Sequence, residues 1–244
     1  MKQTEIIMGM PITVEVIDKI TDNQFNSIFS YFRTIDEKYS TYKTTSEISR
    51  INRGLPKNRW SHEMKSVLDL CQKTKRQTNG YFDISHNGKL DPSGLVKGWS
   101  VNNAAQMLIG KGINNFYIEA GGDIQVHGMN ADKEPWEIGI RNPFNIDEII
   151  KVIKLTNQGI ATSGTYIRGQ HIYNPFNKDQ TDSRVKSLTV IGPNVYEADR
   201  YATAAFAMGE AGITFISSIS GLEGYMVDAQ EIATYTKGFE RYAV

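Results

Sequence analysis

The sequence holds one cysteine, Cys71, among 244 residues. That excludes an internal disulfide framework and a zinc site built on cysteines. Cys71 follows Val67 and Leu68 at helical spacing, so a packed helix residue is expected rather than a reactive thiol. Long apolar runs are also missing. None approaches the about 20 residues a membrane-spanning helix requires, and the opening MKQTEIIMGMPITVEV lacks a signal peptide's apolar core. The expectation is a soluble, cytoplasmic protein, provided the chain is unprocessed. Neither sign of charge is in excess, with 27 Lys plus Arg against 27 Asp plus Glu. No basic surplus points to nucleic acid, and no long charge run marks an interaction tail. There is no Walker A sequence and no GxGxxG after a strand, which disfavours the usual nucleotide folds. Repeats, low-complexity tracts and clear linkers are absent as well.

What is present is enough for a substantial core, at 40% hydrophobic residues in one large domain or two small ones. Residues 4–17 read as a strand broken by Gly9 and Pro11, since ITVEV alternates and is β-branched. Phe25, Ile28, Phe29, Phe32, Ile35 and Tyr39 recur at helical spacing, with Asp22 as a plausible cap. Residues 40–53 are polar and aromatic, a loop in which Ser46, Glu47 and Ser49 can start a short helix. A second amphipathic helix spans 61–77, with Met64, Val67, Leu68 and Cys71 inward, and Thr78-Asn79-Gly80 stops it. YFDIS and a short polar link lead to the turn Asp91–Gly94 and a helix to about Ile109. Residues 115–126 read as a hairpin turning at Gly121-Gly122. Trp136–Arg141, Ile149–Leu155, 186–192 and 224–235 continue the β pattern, as does HIYNP after His171, and 211–220 is helical. Helices and strands mix without regular βαβ alternation, so the fold class is α+β.

Several residues carry chemistry of one kind. In 192–209, an Ala-rich run opens after Ile-Gly-Pro-Asn, placing Asp199 near a helix start with Thr203 four residues later. Positions i and i+4 share a helix face, so a carboxylate and a hydroxyl project together. They suit Mg²⁺ as hard oxygen ligands; equally, the acid can serve as dipole partner and the hydroxyl can bond back to its own helix. Lys97, with Gly98, falls in a first turn, where a cation opposes the dipole unless an anion sits there. Residues 160–171, IATSGTYIRGQH, are dense in small and hydroxyl side chains and can cradle a phosphate. His171 itself fits a satisfied strand histidine as well. Tyr39, Tyr42, Tyr81, Phe82 and Trp99 lie beside these loops and can stack on a flat ring. Together these signals favour a Mg²⁺-dependent site for a phosphorylated ligand.

The same places resemble the ApbE family of flavin transferases. The likeness runs through MGMPITVEV, STYKTTSEISRIN, TNGYFDIS, DPSGLVKGWS, EAGGDIQVHG, ATSGTYIRGQHIYNP and EADRYATAAFAMG, in the family's order. It implies a single domain over 1–244, T-fold-like, with two lobes around a flavin cleft. It also implies a reaction: FMN passes from FAD to a Ser or Thr hydroxyl of an acceptor protein, and AMP leaves. By motif, Asp199, Thr203 and the Ala161 carbonyl would hold Mg²⁺. Met8, Tyr42, Asn52, Asp83, Lys97, Glu119, Asp123 and Thr162 fall in stretches that contact FAD. His171 stands beside the diphosphate and is the candidate base for the acceptor hydroxyl, a role Asp199 can share. The chain departs from the pattern at Met10, where Thr is frequent, at Trp99 and Asn102-Asn103 after Lys-Gly, and at Asn174, where Asp is common. Many relatives are exported lipoproteins, a compartment that does not carry over. Two other activities fit the same residues: an FAD pyrophosphatase, with water replacing the hydroxyl, and a non-catalytic FAD-binding protein.

Overall fold

The computed structural model describes residues 1–164, 172–176 and 184–244. Strands β1 (Lys2–Ile7) and β2 (Met10–Val16) form an antiparallel hairpin, not one interrupted strand. Met8 and Gly9 make its turn at φ 57° and 71°, left-handed values that glycine meets without steric cost. Helix α1 (Asp22–Tyr39) buries the expected stripe, but its cap is Thr21 rather than Asp22. Thr21 Oγ1 accepts from Gln24 N–H and Gln24 Oε1 accepts from Thr21 N–H, a reciprocal box that the Thr-x-x-Gln spacing announces. The short helix α2 (Glu47–Asn52) is capped by Ser46, as expected, and α3 (His62–Gln77) by Ser61. Cys71 is buried in α3, and burial pushes its thiol up to about 12. Asn79 and Gly80, both at positive φ, end that helix, and Gly80 N–H returns to the Lys75 carbonyl at 2.8 Å.

The polar link after YFDIS is itself a hairpin, β3 (Ser85–His86) and β4 (Lys89–Leu90). Asn87 and Gly88 both take positive φ there, the demand of a tight two-residue turn. Next come α4 (Ser93–Ile109), the expected hairpin β5 (Phe116–Ala120) with β6 (Asp123–His127), and the hairpin β7 (Trp136–Arg141) with β8 (Ile149–Leu155). Part of the proposed phosphate loop is a strand, β9 (Gly159–Gly164); residues 165–171, including His171, lie outside the described residues. Ile172–Asn174 are not in a strand, contrary to the reading of HIYNP. The chain closes with β10 (Val185–Gly192), α5 (Val195–Ala207), α6 (Ala211–Ser217), β11 (Glu223–Asp228) and β12 (Ala233–Tyr235).

One eight-stranded antiparallel sheet in the order β1-β2-β5-β6-β9-β10-β11-β12 organises the molecule. Period-2 alternation turns Ile12, Val14, Val16, Phe116 and Ile118 toward α1 and α4. Leu188 and Val190 pack under α5 and α6. On the other side, the β7–β8 hairpin covers Ile124, Ile160 and Ile191. A further apolar cluster joins α2, α3 and Phe82 to Leu95 and Val96 of α4. The α+β expectation therefore holds. No helix among the described residues is long and apolar enough to cross a membrane.

Candidate active site

Helices α4 and α5 meet at a notch. Gly94 and Gly98 are four residues apart on α4 and face Thr203 and Asp199, four apart on α5. A Cβ on Gly98 would lie 2.6 Å from Asp199 Cβ and 2.8 Å from the Val195 carbonyl oxygen. Glycine is what lets the backbones approach, and the approach supplies a hydrogen bond. Gly98 N–H donates to Asp199 Oδ2 at 2.8 Å, and Thr203 Oγ1 is 3.5 Å from the Gly94 carbonyl oxygen. The start of α5 is fixed by Asn194, whose Oδ1 accepts from Glu197 N–H at 2.9 Å, and by Gln125, whose Oε1 accepts from Val195 N–H at 2.8 Å. Asp199 therefore sits in the second turn of α5, not the first. Lys97 likewise lies in the second turn of α4, because that helix already begins at Ser93.

Asp199 is 3% exposed and Asp123 1%. Lys97 Nζ lies 2.8 Å from Asp123 Oδ2, while no donor among the described residues reaches Asp123 Oδ1. Burial raises the Asp199 carboxyl well above the usual aspartate range, and the Asp123 charge raises it further. The Lys97 ammonium and the Gly98 N–H act in the opposite direction. Two buried carboxyls beside one ammonium favour a proton retained on Asp199.

These groups lie at a cleft of about 980 Å³. That is the upper end of small-molecule pockets, roughly 300–1,000 Å³. One wall comes from Ser93, Gly94 and Lys97 of α4, Asp199 and Thr203 of α5, and Thr162–Gly164 of β9. The opposite wall comes from the end of α2, residues 81–91 and Tyr173. Of the residues singled out in the sequence, Asn52, Tyr81, Phe82, Asp83, Lys97, Thr162, Asp199 and Thr203 line this one cleft, whereas Tyr39 and Trp99 do not. Asp123 is buried beside it, paired to Lys97.

Others sit elsewhere or are already occupied. Met8 is in the β1–β2 turn, packed between two apolar clusters, and Glu119 accepts from the Tyr117 hydroxyl at 2.6 Å; neither is on the cleft lining. Tyr42 is 96% exposed, and only its neighbours Thr41 and Thr44 reach the cleft. The Ala161 methyl is buried under α5, so only its backbone can serve as a ligand. Strand β9 outruns β6 there, since their pairing stops at Ile160. Asn52 holds the cleft wall: its Nδ2 donates to the Leu90 carbonyl at 2.9 Å and its Oδ1 accepts from Leu90 N–H at 2.8 Å. Asp83 pairs with Lys75 at 2.7 Å, and Thr162 Oγ1 is 2.8 Å from Thr189 Oγ1.

The sequence reading missed the β3–β4 hairpin, although Asn87-Gly88 was a usable turn signal. It also missed Tyr173, whose hydroxyl donates to the Ser85 carbonyl at 2.8 Å and whose ring lies 4.3 Å from that of His86. No spacing rule connects residues that far apart in the chain.

The donor set fits a hard divalent cation. Among the described residues no cluster of three or more His, Cys, Asp or Glu could hold a metal. Mg²⁺ does not need one, because it commonly takes one or two carboxylates and completes its shell with water and phosphate oxygens. A buried acid with its carboxyl driven toward the neutral form, a hydroxyl one turn away and an unbonded Asp123 oxygen meet that requirement.

Comparison with known proteins identifies relatives of the whole chain. The model of the ApbE family matches residues 8–88 and 85–226. A protein named FAD:protein FMN transferase from Vibrio cholerae is 32% identical over 63% of this chain, a stretch spanning 47% of that relative. One of the same name from Haemophilus influenzae is 29% identical, covering 97% of this chain and 90% of the relative. The solved flavin transferase ApbE of Vibrio cholerae superposes with a TM-score of 0.86 at 21% identity, over 99% of this chain and 98% of that one. The ApbE protein of Thermotoga maritima gives 0.87 at 21% identity, over 100% and 99%. The motifs, the family model and the shared fold coincide along most of the sequence, and the chain belongs to the ApbE family.

Proposed function

We propose that residues 1–244 form a single flavin transferase domain that moves FMN from FAD to a Ser or Thr hydroxyl of an acceptor protein, releasing AMP. The observation that carries this is the buried Lys97–Asp123–Asp199 group at a cleft large enough for a dinucleotide, in a chain whose curated relatives bear the name of that activity. The acceptor oxygen forms a bond to the FMN phosphorus, the bond from that phosphorus to the bridging oxygen breaks, and AMP departs with the bridging oxygen. The hydroxyl proton passes to a base, for which His171 is the candidate and Asp199 the alternative. Phosphoryl transfer asks mainly for alignment and charge neutralisation, which suits this residue set. Mg²⁺ held by Asp199, Thr203 and the Ala161 carbonyl would withdraw charge from the diphosphate and from the leaving phosphate. Gly98 N–H orients Asp199 for that task, and Lys97 adds a fixed positive charge on the cleft wall. Asn52 and Tyr173 keep the opposite wall in place, while Asp83, Thr162 and the exposed Tyr42 supply further FAD contacts; Met8, Glu119 and Asp123 act from behind the lining.

The test is incubation with FAD, Mg²⁺ and a candidate acceptor protein. Transfer gives flavin fluorescence on the acceptor in a denaturing gel. Free FMN and AMP would instead indicate a pyrophosphatase, and intact FAD a binding protein. His171→Ala should slow transfer while FAD still binds; an unchanged rate excludes His171 as the base.

A further inference from the structure

Residues 50–59, RINRGLPKNR, carry four cations and no acid in a chain whose charges balance overall. They cover the end of α2, the following turn and a short 3-10 turn at Lys57–Arg59. Arg50, Arg53, Lys57 and Arg59 are all exposed, as is Lys89 at the start of β4. Four of the five lie within ten residues of sequence, and the fifth adjoins them through Leu90. Arg50 lies in the last turn of α2 and Arg53 caps it, with Arg53 N–H donating to the Arg50 carbonyl at 3.1 Å. Leu55 N–H returns to the Arg50 carbonyl at 3.0 Å, folding the basic turn back on that helix. Asn52 bonds to Leu90 through both its amide atoms, which ties β4 to the end of α2, and Arg53 and Lys89 both line the cleft.

Nearby cations are neutralised: Lys38 by Glu63, Lys43 by Asp36 and Glu37, Lys75 by Asp83. Among the described residues, none of the five rim cations has a carboxylate partner. Glu47, the only acid of α2, is occupied, its carboxylate accepting from Ser61 N–H at 2.6 Å and Ser61 Oγ at 2.7 Å. A small ligand in the cleft reaches only Arg53 and Lys89; Arg50, Lys57 and Arg59 are not on its lining. Whatever contacts all five must lie across the outside of the cleft, which calls for a macromolecule. The transferase reading supplies one, since an acceptor protein has to present a hydroxyl to the cleft past this edge.

We propose that this rim docks the acceptor protein through an acidic segment beside its reactive Ser or Thr. The identity of the partner rests on the transferase reading; the surface itself does not. Complementary charge of this sort steers encounter and sets orientation, and it weakens with salt.

The experiment is fluorescence anisotropy on the whole chain with FAD present. The probes are a labelled peptide with a central Thr between Asp and Glu residues, its Asn and Gln counterpart, and a single-stranded DNA oligonucleotide of equal charge. The acidic peptide should bind, lose affinity as salt rises, and bind about tenfold more weakly to Arg50→Glu/Lys57→Glu/Arg59→Glu. Arg50→Gln/Lys57→Gln/Arg59→Gln should fall between, and it carries the test should the reversed variant fail to fold. Equal affinity for acidic and neutral peptides overturns the proposal, and so does binding that neither variant weakens. Displacement of the peptide by FAD overturns it as well, because the acid would then be occupying the phosphate cleft. Preference for the oligonucleotide also ends it. Flavin labelling of the peptide is scored separately: its absence alongside charge-dependent binding counts against the transferase reading and leaves the rim standing.

Discussion

Asp199 and Tyr42 both come from stretches that match the family's motifs, yet one is 3% exposed and the other 96%. The floor of the cleft is made where two helices and a strand are pressed together, with Gly98 giving up its side chain so that Asp199 can accept its N–H. The mouth is made of short elements: the six-residue α2, the two-residue strands β3 and β4, and loops tied by a few polar contacts such as Asn52 to Leu90. The floor must hold a charge arrangement that water would dissolve, and rigid packing achieves that. On the proposed function the mouth would admit a dinucleotide and face a protein, for which locally anchored, exposed elements serve better.

The sharpest way to break the floor is Asp199→Ala. Turnover should drop by about 10²–10³-fold, the scale of losing a principal electrostatic group. FAD cleavage followed by AMP release measures it, and full activity would remove Asp199 from the proposed metal site. Gly98→Ala should come next. Alanine in a helix interior is ordinarily favoured over glycine by about 1 kcal/mol. Here the added methyl meets Asp199 and the Val195 carbonyl, so a net destabilisation of about 1–3 kcal/mol is expected from overpacking. A denaturant titration gives the sign, and a stabilised variant would show that the notch is looser than its distances indicate.

At the mouth, Asn52→Ala deletes both bonds to Leu90 and should cost about 1–2 kcal/mol. The loss should be confined to faster amide exchange around residues 85–90, with exchange in α4 and α5 unaltered. Spread of that loss into α5 would mean the two regions are not separable.

A pH dependence tests the floor in a second way. Burial and Asp123 raise the Asp199 carboxyl, so the folded state holds its proton more tightly than the unfolded chain does. That contribution is fully present below the unfolded value of 3.8 and is lost as pH rises through the raised folded value. The slope is at most about 1.4 kcal/mol per pH unit. Without divalent ions the melting temperature of the wild type should decline over that window relative to Asp199→Asn. Parallel profiles would show that the carboxyl is not perturbed.

Much of the framework was readable in the chain itself. The stripes of α1 and α3 were visible as periodicity, and the β5–β6 and β7–β8 hairpins as alternation around turn residues, because those signals are local. The i, i+4 relation of Asp199 and Thr203 was local too, and so was recoverable. Boundaries slipped where side chains decided them: Thr21 with Gln24 outcompetes Asp22, and Asn194 caps α5 so that Asp199 falls in the second turn.

Folding alone decided who meets whom. Lys97 and Asp123 are brought together by a helix and a strand, and Gly98 meets Asp199 across 101 residues of sequence. The same assembly spends Asn52 on Leu90 and pairs Asp83 with Lys75, although both stood in promising motifs. A sequence encodes which face each element turns inward, since that depends on neighbours three or four residues away. Contacts between elements depend on how their surfaces fit, and here that fit turns on two glycines whose missing side chains set the distance between helices.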